Sequence, residues 1–264
     1  MALRRTAFKT VDQVRALSPP HHPNLSSLSI NNNKDGDIIE QWSEACGERH
    51  TFARWGNLRA KGKYMLLHKV AQQADDDVSD NGDYVTAYDM IDIDDLKPDM
   101  WSVEHVVPRS HINGKGPGRA EDDPVGWIEA HAIANSRRSN YPLYLWPDED
   151  GMLAPSNNLV VVDGETHYVP PLEQRGRLAR KWLFIRATYA GSIRPPSRAQ
   201  IKRAAKIVAF AKADPLHPAE RRVNEHYRKT FKWANPLLED ESERFYDSVV
   251  WRNRAFGDTP MSSA

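Results

Sequence analysis

Between Trp101 and Pro142 the chain reads WSVEHVVPRS, then a glycine-rich loop, then HAIANSRRSNYP. Glu104 and His105 stand side by side, and Asn135 follows beyond the loop. Hydrolysis of a phosphodiester needs a base to deprotonate water, a cation to take up charge on the phosphate, and donors that hold the phosphates. A neutral imidazole suits the first task near pH 7, which makes His105 the candidate base. A carboxylate and an amide oxygen suit Mg²⁺, a hard ion that keeps several waters, so Glu104 and Asn135 are the candidate ligands. Arg137 and Arg138 supply donors nearby.

These residues need elements to hold them. Trp101 to Val107 reads as a strand stopped by Pro108, with Glu104 and His105 at its end. The stretch from His131 to Ser139 is helix-compatible, carries Asn135, and is ended by Pro142. His131 lies one helical turn before Asn135, where it either supports the site from behind the ligands or is a structural histidine. Ser110 to Asp123 is a polar loop with Gly114, Gly116 and Gly118, and Lys115 and Arg119 would let it close over a substrate.

Elsewhere, Ile39, Trp42 and Ala45 share a helical face, and Met65, Leu66, Lys69 and Val70 suggest a second helix. Tyr84–Tyr88 alternates as a short strand would, and Asn157–Asp163 is a short buried strand. From Arg175 to Phe256 the pattern is mostly helical, broken at Pro195–Pro196, Pro215 and Pro218. Short strands followed by many helices imply an α+β fold. Residues 1–35, with Pro19, Pro20 and Pro23 and a Ser/Asn-rich run, read as a flexible N-terminal arm. One domain is expected over 36–258, with its chemical core at 101–142 and a tail at 259–264.

The formal net charge of the 264 residues is +0, but its distribution is uneven. Asp75 to Asp99 is crowded with aspartates, whereas Arg175 to Lys232 is dominated by arginine and lysine. A basic half can track phosphates, or it can be a set of solvated helix faces. Cys46 is the only cysteine, so neither an intramolecular disulfide nor a cysteine-rich zinc site is expected, nor a disulfide-linked partner. The leading MALRRTAFKTVDQVRAL lacks an apolar signal-peptide core and no later segment suits a membrane span, so a cytoplasmic location is expected.

The motif EHVVPRS, followed by Asn135-x-x-Arg138-Ser139-Asn140, resembles the endonuclease I family, a branch of the ββα-metal (His-Me finger, HNH-like) nucleases. Flanking segments are similar too, in the family's order. Val169–Arg180 with Phe184 and Tyr189 looks like its Pro…Lys-Gly-x-x-Ala-Arg helix. Trp233–Pro236 with Glu241 and Arg244 looks like its Trp-x-x-Asp-Pro turn, and Asn253–Phe256 like its closing segment. The resemblance implies a ββα-metal core of short antiparallel strands and a metal-binding helix, set in a mostly helical domain. It implies one Mg²⁺ (or Mn²⁺/Ca²⁺) held by Glu104 and Asn135, with His105 as base. DNA, and RNA as a second substrate, would be cut with low sequence specificity. Arg138, Arg175 and Arg180 match basic positions near the nucleic acid, and Arg109 and Arg119 offer a second path for it. The family's Asp-x-His-His segment is here Asp123-Pro-Val-Gly-Trp127, without its histidine. Two rivals remain. One is a non-catalytic nucleic-acid-binding or virion-type structural protein on the same fold; the other is a sequence-specific HNH-type nuclease.

Overall fold

The computed structural model describes residues 32–47, 67, 70, 85–93, 95–97, 99–112, 120–147, 158–240 and 242–257. The expected arm up to residue 31, Lys115 and Arg119 of the glycine loop, Glu241 and the tail lie outside them, as do Met65, Leu66 and Lys69. The described elements run α1 (Asn32–Cys46), β1 (Trp101–His105), β2 (Trp127–His131), α2 (Ala132–Arg138), β3 (Leu159–Val162) and β4 (Glu165–Tyr168). Then come α3 (Leu172–Thr188), α4 (Arg198–Lys202), α5 (Ala204–Ala213), α6 (Pro218–Phe231), α7 (Glu243–Asp247) and α8 (Val249–Phe256). The class is α+β: helices with two small antiparallel sheets, β1–β2 and β3–β4. Helix α1 begins inside the stretch read as an arm. Among the described residues no helix is long and apolar enough to cross a membrane. Cys46 is buried and free.

The organising element is α3, whose residues from Gln174 to Ala187 are all buried. Its apolar side packs on α5 and α8. There Trp42 of α1 meets Phe184, Phe245 and Trp251 at ring-centroid distances of 5.8, 4.9 and 5.1 Å. Gly176 permits a close approach, because a Cβ at that position would lie 2.1 Å from Asp214 Oδ2.

The expected solvated or DNA-facing basic face is corrected along this helix. Arg175, Arg177, Arg180, Lys181 and Arg186 are buried. Interior guanidinium groups persist only where their donors are satisfied. Arg175 donates to the Pro170 and Trp146 carbonyls at 3.0 and 3.1 Å and lies over the Tyr144 ring. Arg177 is paired to Glu129 at 2.5 Å, and Lys181 donates to the Val125 carbonyl at 3.0 Å. Neither Arg175 nor Arg180 can reach a phosphate from inside the core.

The hairpin is in register with Glu104 opposite Ile128 and His105 opposite Trp127. Strand β1 stops two residues before its expected end. Strand β2 was unexpected. The expected strand at Tyr84–Tyr88 is, over its described residues, a turn: Val85 bridges to Asp92, and Met90 at φ 56 lets the chain reverse. A strand is present within Asn157–Asp163, as β3, which pairs with β4 through Leu159 opposite Tyr168, but it is not the buried strand expected: Val161 is exposed and only Val162 is buried.

Candidate active site

Side chains alternate along a strand, so Ser102 and Glu104 share the face of β1 that α2 covers. Asn135 and Arg138, three residues apart on α2, lie one above the other on a helix face. The two elements therefore meet in parallel: Asn135 Nδ2 donates to Ser102 Oγ at 2.7 Å, and Arg138 Nη1 reaches Glu104 Oε1 at 3.0 Å. Tyr88 Oη donates to the same Glu104 oxygen at 2.8 Å. Glu104 is 4% exposed. Burial pushes its carboxyl above the usual range, against the lowering effect of Arg138, of Tyr88 and of the His105 backbone N–H. Tyr88→Phe removes one buried hydrogen bond to a carboxylate. It should lower unfolding free energy by about 1–3 kcal/mol in urea denaturation.

His105 ends β1 on the opposite face, beside Trp127, whose ring lies 6.1 Å away. Its Nε2 is 3.0 Å from the Glu121 carbonyl. A carbonyl only accepts, so this contact puts the proton on Nε2 and makes Nδ1 the ring's acceptor nitrogen. The carbonyl is itself held in place. Trp127 Nε1 donates to it at 3.0 Å. Two residues on, Asp123 accepts from Val125 N, Tyr189 Oη and Trp233 Nε1 at 2.9, 2.9 and 3.1 Å. Burial raises the Asp123 carboxyl to about 6 despite these three donors. The segment without the family's histidine thus has an anchoring role of its own.

Glu104, Asn135 and Arg138 come together on one face, with His105 adjacent to Glu104 at the strand end. Both ligand candidates offer oxygen, since the amide nitrogen of Asn135 is committed to Ser102. That donor set fits a hard divalent cation with water completing its sphere. Among the described residues no cluster of three or more His, Cys, Asp or Glu could hold a metal. His131 points elsewhere: its Nδ1 is 2.9 Å from Asp89 Oδ2. Thr86 Oγ1 donates to the other oxygen of Asp89 at 2.6 Å. His131 therefore ties the start of α2 to the 86–89 turn, the same turn whose Tyr88 holds Glu104.

The basic candidates separate. Arg109 is exposed in a single helical turn, Arg109–His111, just beyond β1. Arg138 is 2% exposed and spans Glu104, the Val106 carbonyl at 2.9 Å and the Ser139 carbonyl at 3.1 Å. It is corrected from a strand-gripping residue to one that holds Glu104 and closes α2 on β1. Tyr88, Asp89 and Ser102 were missed as site residues, because their partners Glu104, His131 and Asn135 lie 16 to 42 positions away in the chain. No family model, curated protein or solved structure matches the chain.

Proposed function

We propose that this chain is a divalent-metal-dependent endonuclease of the ββα-metal type, cutting DNA, and RNA as a second substrate, with low sequence preference. The observation that carries the reading is the strand–strand–helix unit β1–β2–α2, with Glu104 and Asn135 on one face and the His105 ring hydrogen-bonded to a backbone carbonyl. In this reading His105 Nδ1 takes the proton of the attacking water, and the Glu121 carbonyl stabilises the imidazolium that forms. Glu104 and Asn135 would hold Mg²⁺ or Mn²⁺, which supplies Lewis-acid stabilisation of charge on the phosphate and leaving oxygen. Arg138 and Tyr88 fix the Glu104 rotamer, and Arg109 contacts a flanking phosphate.

Burial of Glu104 and its pairing with Arg138 favour a second reading, a binding protein in which that pair is structural. Plasmid nicking separates the two. Supercoiled DNA should be relaxed and linearised in Mg²⁺ or Mn²⁺, with activity abolished by EDTA and restored by excess metal. Because so few protein ligands are involved, EDTA should barely move Tm. A full-length protein that binds DNA but never nicks it in either metal supports the binding reading. Unfolding by EDTA would make the metal structural and the proposed site wrong.

A further inference from the structure

Behind the candidate site, between the chain leaving β1 and the turn before α4, lies an open cavity of about 440 Å³. That is the size of a small-ligand pocket. Three arginines line it: Arg138, Arg186 and Arg194, together with His111, Tyr141 and Glu165. The backbone builds the cluster. Ile112 bridges to Ile193, Arg194 N donates to the His111 carbonyl at 2.8 Å, and Arg186 Nη1 donates to the Arg194 carbonyl at 3.1 Å.

The charge is unbalanced. Among the described residues, neither Arg186 nor Arg194 has a carboxylate within ion-pair distance, and Glu165, at an exposed position, is the only acidic lining residue. Arg186 is 7% exposed, and burial without a counter-charge brings its guanidinium down to about 10. Arg138, paired to Glu104, still has a buried Nε with no hydrogen-bond partner. His111 is held below its usual range by burial, and then by Arg138, Arg194 and Arg186. Arg186 donates to the Ala255 and Arg194 carbonyls at 2.7 and 3.1 Å and lies over the Trp182 ring, which engages Nε and Nη1 but leaves its charge without a counter-ion, an arrangement that favours an anion. Beside the cluster, Tyr141 is a large exposed aromatic, 37% exposed, able to stack on a base.

We propose that this cavity is a phosphate-binding subsite, taking the phosphate of a nucleotide onto Arg186, Arg194 and His111 with its base against Tyr141. The nucleotide identity rests on the nuclease reading; the oxyanion preference stands without it. The source is either a terminal phosphate or an internal phosphate of a strand running past β1.

The test uses the full chain in EDTA, so metal chemistry plays no part. Inorganic phosphate should raise Tm above sodium chloride of equal ionic strength, because a ligand that binds only the folded state stabilises it by mass action. Arg194→Ala, at an exposed position, should weaken phosphate binding by about tenfold, the scale of one charge-assisted hydrogen bond. Arg194→Glu should abolish it with the circular dichroism spectrum unchanged. A 5′-phosphorylated dinucleotide binding about tenfold tighter than its unphosphorylated form assigns the pocket to terminal phosphates. Equal binding of the two, both tighter than inorganic phosphate and both weakened by Arg194→Ala, assigns it to the backbone. No phosphate-specific stabilisation of the wild type, or full retention of it in Arg194→Glu, overturns the proposal. If phosphate binding survives while plasmid nicking is absent, the pocket stands and the nuclease reading falls.

Discussion

His105→Gln should lower the rate of DNA cleavage by at least ~10²-fold, the usual scale for loss of a general base. Glutamine is the informative replacement, because its amide can still donate to the Glu121 carbonyl that His105 meets at 3.0 Å, yet it cannot accept a proton from water. His105→Ala should lose as much activity and also leave a gap against Trp127. The two variants together separate chemistry from packing. Affinity for uncut DNA, measured in EDTA, should be nearly unchanged in both, because the base acts on water and does not hold the strand. A folded His105→Gln protein that cleaves at the wild-type rate would sink the assignment, and a search for the base would have to begin again among the described histidines.

The parts of this site that could be read from the chain are those whose signal is local. WSVEHVVP carries β-branched residues and a terminating proline, so β1 and the position of Glu104 and His105 at its end were legible. Its neighbour β2 was not. Trp127–His131 is buried along nearly its whole length, so it lacks the alternation that marks a half-exposed strand. Its one charged interior residue, Glu129, is paid for by Arg177, 48 positions away. Tyr84–Tyr88 misled the other way: its residues are strand-like, but the described ones, from Val85, form a turn in which Thr86 Oγ1 donates to Asp89 and accepts from Ile91 N. Helix α3 is the largest discrepancy. Arginines spaced along a helix look solvated when the sequence is read one residue at a time. Their acceptors are the Trp146, Pro170, Ala211 and Asp214 carbonyls and Glu129 and Glu220. These come together only when the chain is folded.

Arg180→Ala should therefore destabilise the fold and leave DNA binding alone, the reverse of what a strand-tracking arginine would do. Arg180 donates to Glu220 through Nε at 3.0 Å and Nη2 at 2.7 Å, to the Ala211 and Asp214 carbonyls at 3.0 Å each, and to Asp214 Oδ2 at 3.2 Å. It thus ties α3 to the end of α5 and the start of α6. Arg180 and Glu220 are 1% and 2% exposed, so removing one partner strands a buried charge, at a cost of about 3–5 kcal/mol. For a chain of this size the fall in Tm is on the order of 10 °C. Arg180→Lys should recover part of the loss, because an ammonium replaces the charge but not the two-pronged contact. Arg180→Met with Glu220→Leu should recover more, since neither member of the fully buried Arg180–Glu220 pair is then left alone. Burial would raise the Glu220 carboxyl, but the charge and hydrogen bonds of Arg180 bring it below its usual value. A depressed carboxylate stabilises the fold above its unfolded pKa and loses that contribution as pH falls through the folded one. The wild type should accordingly lose more stability between neutral and acid pH than the Met/Leu double variant does. For Arg180→Ala kept below its lowered Tm, the slope of log K against log salt should match the wild type, since that slope counts neutralised phosphates. If the slope becomes shallower while stability is unchanged, Arg180 lies on the DNA path and the interior assignment of α3 is wrong.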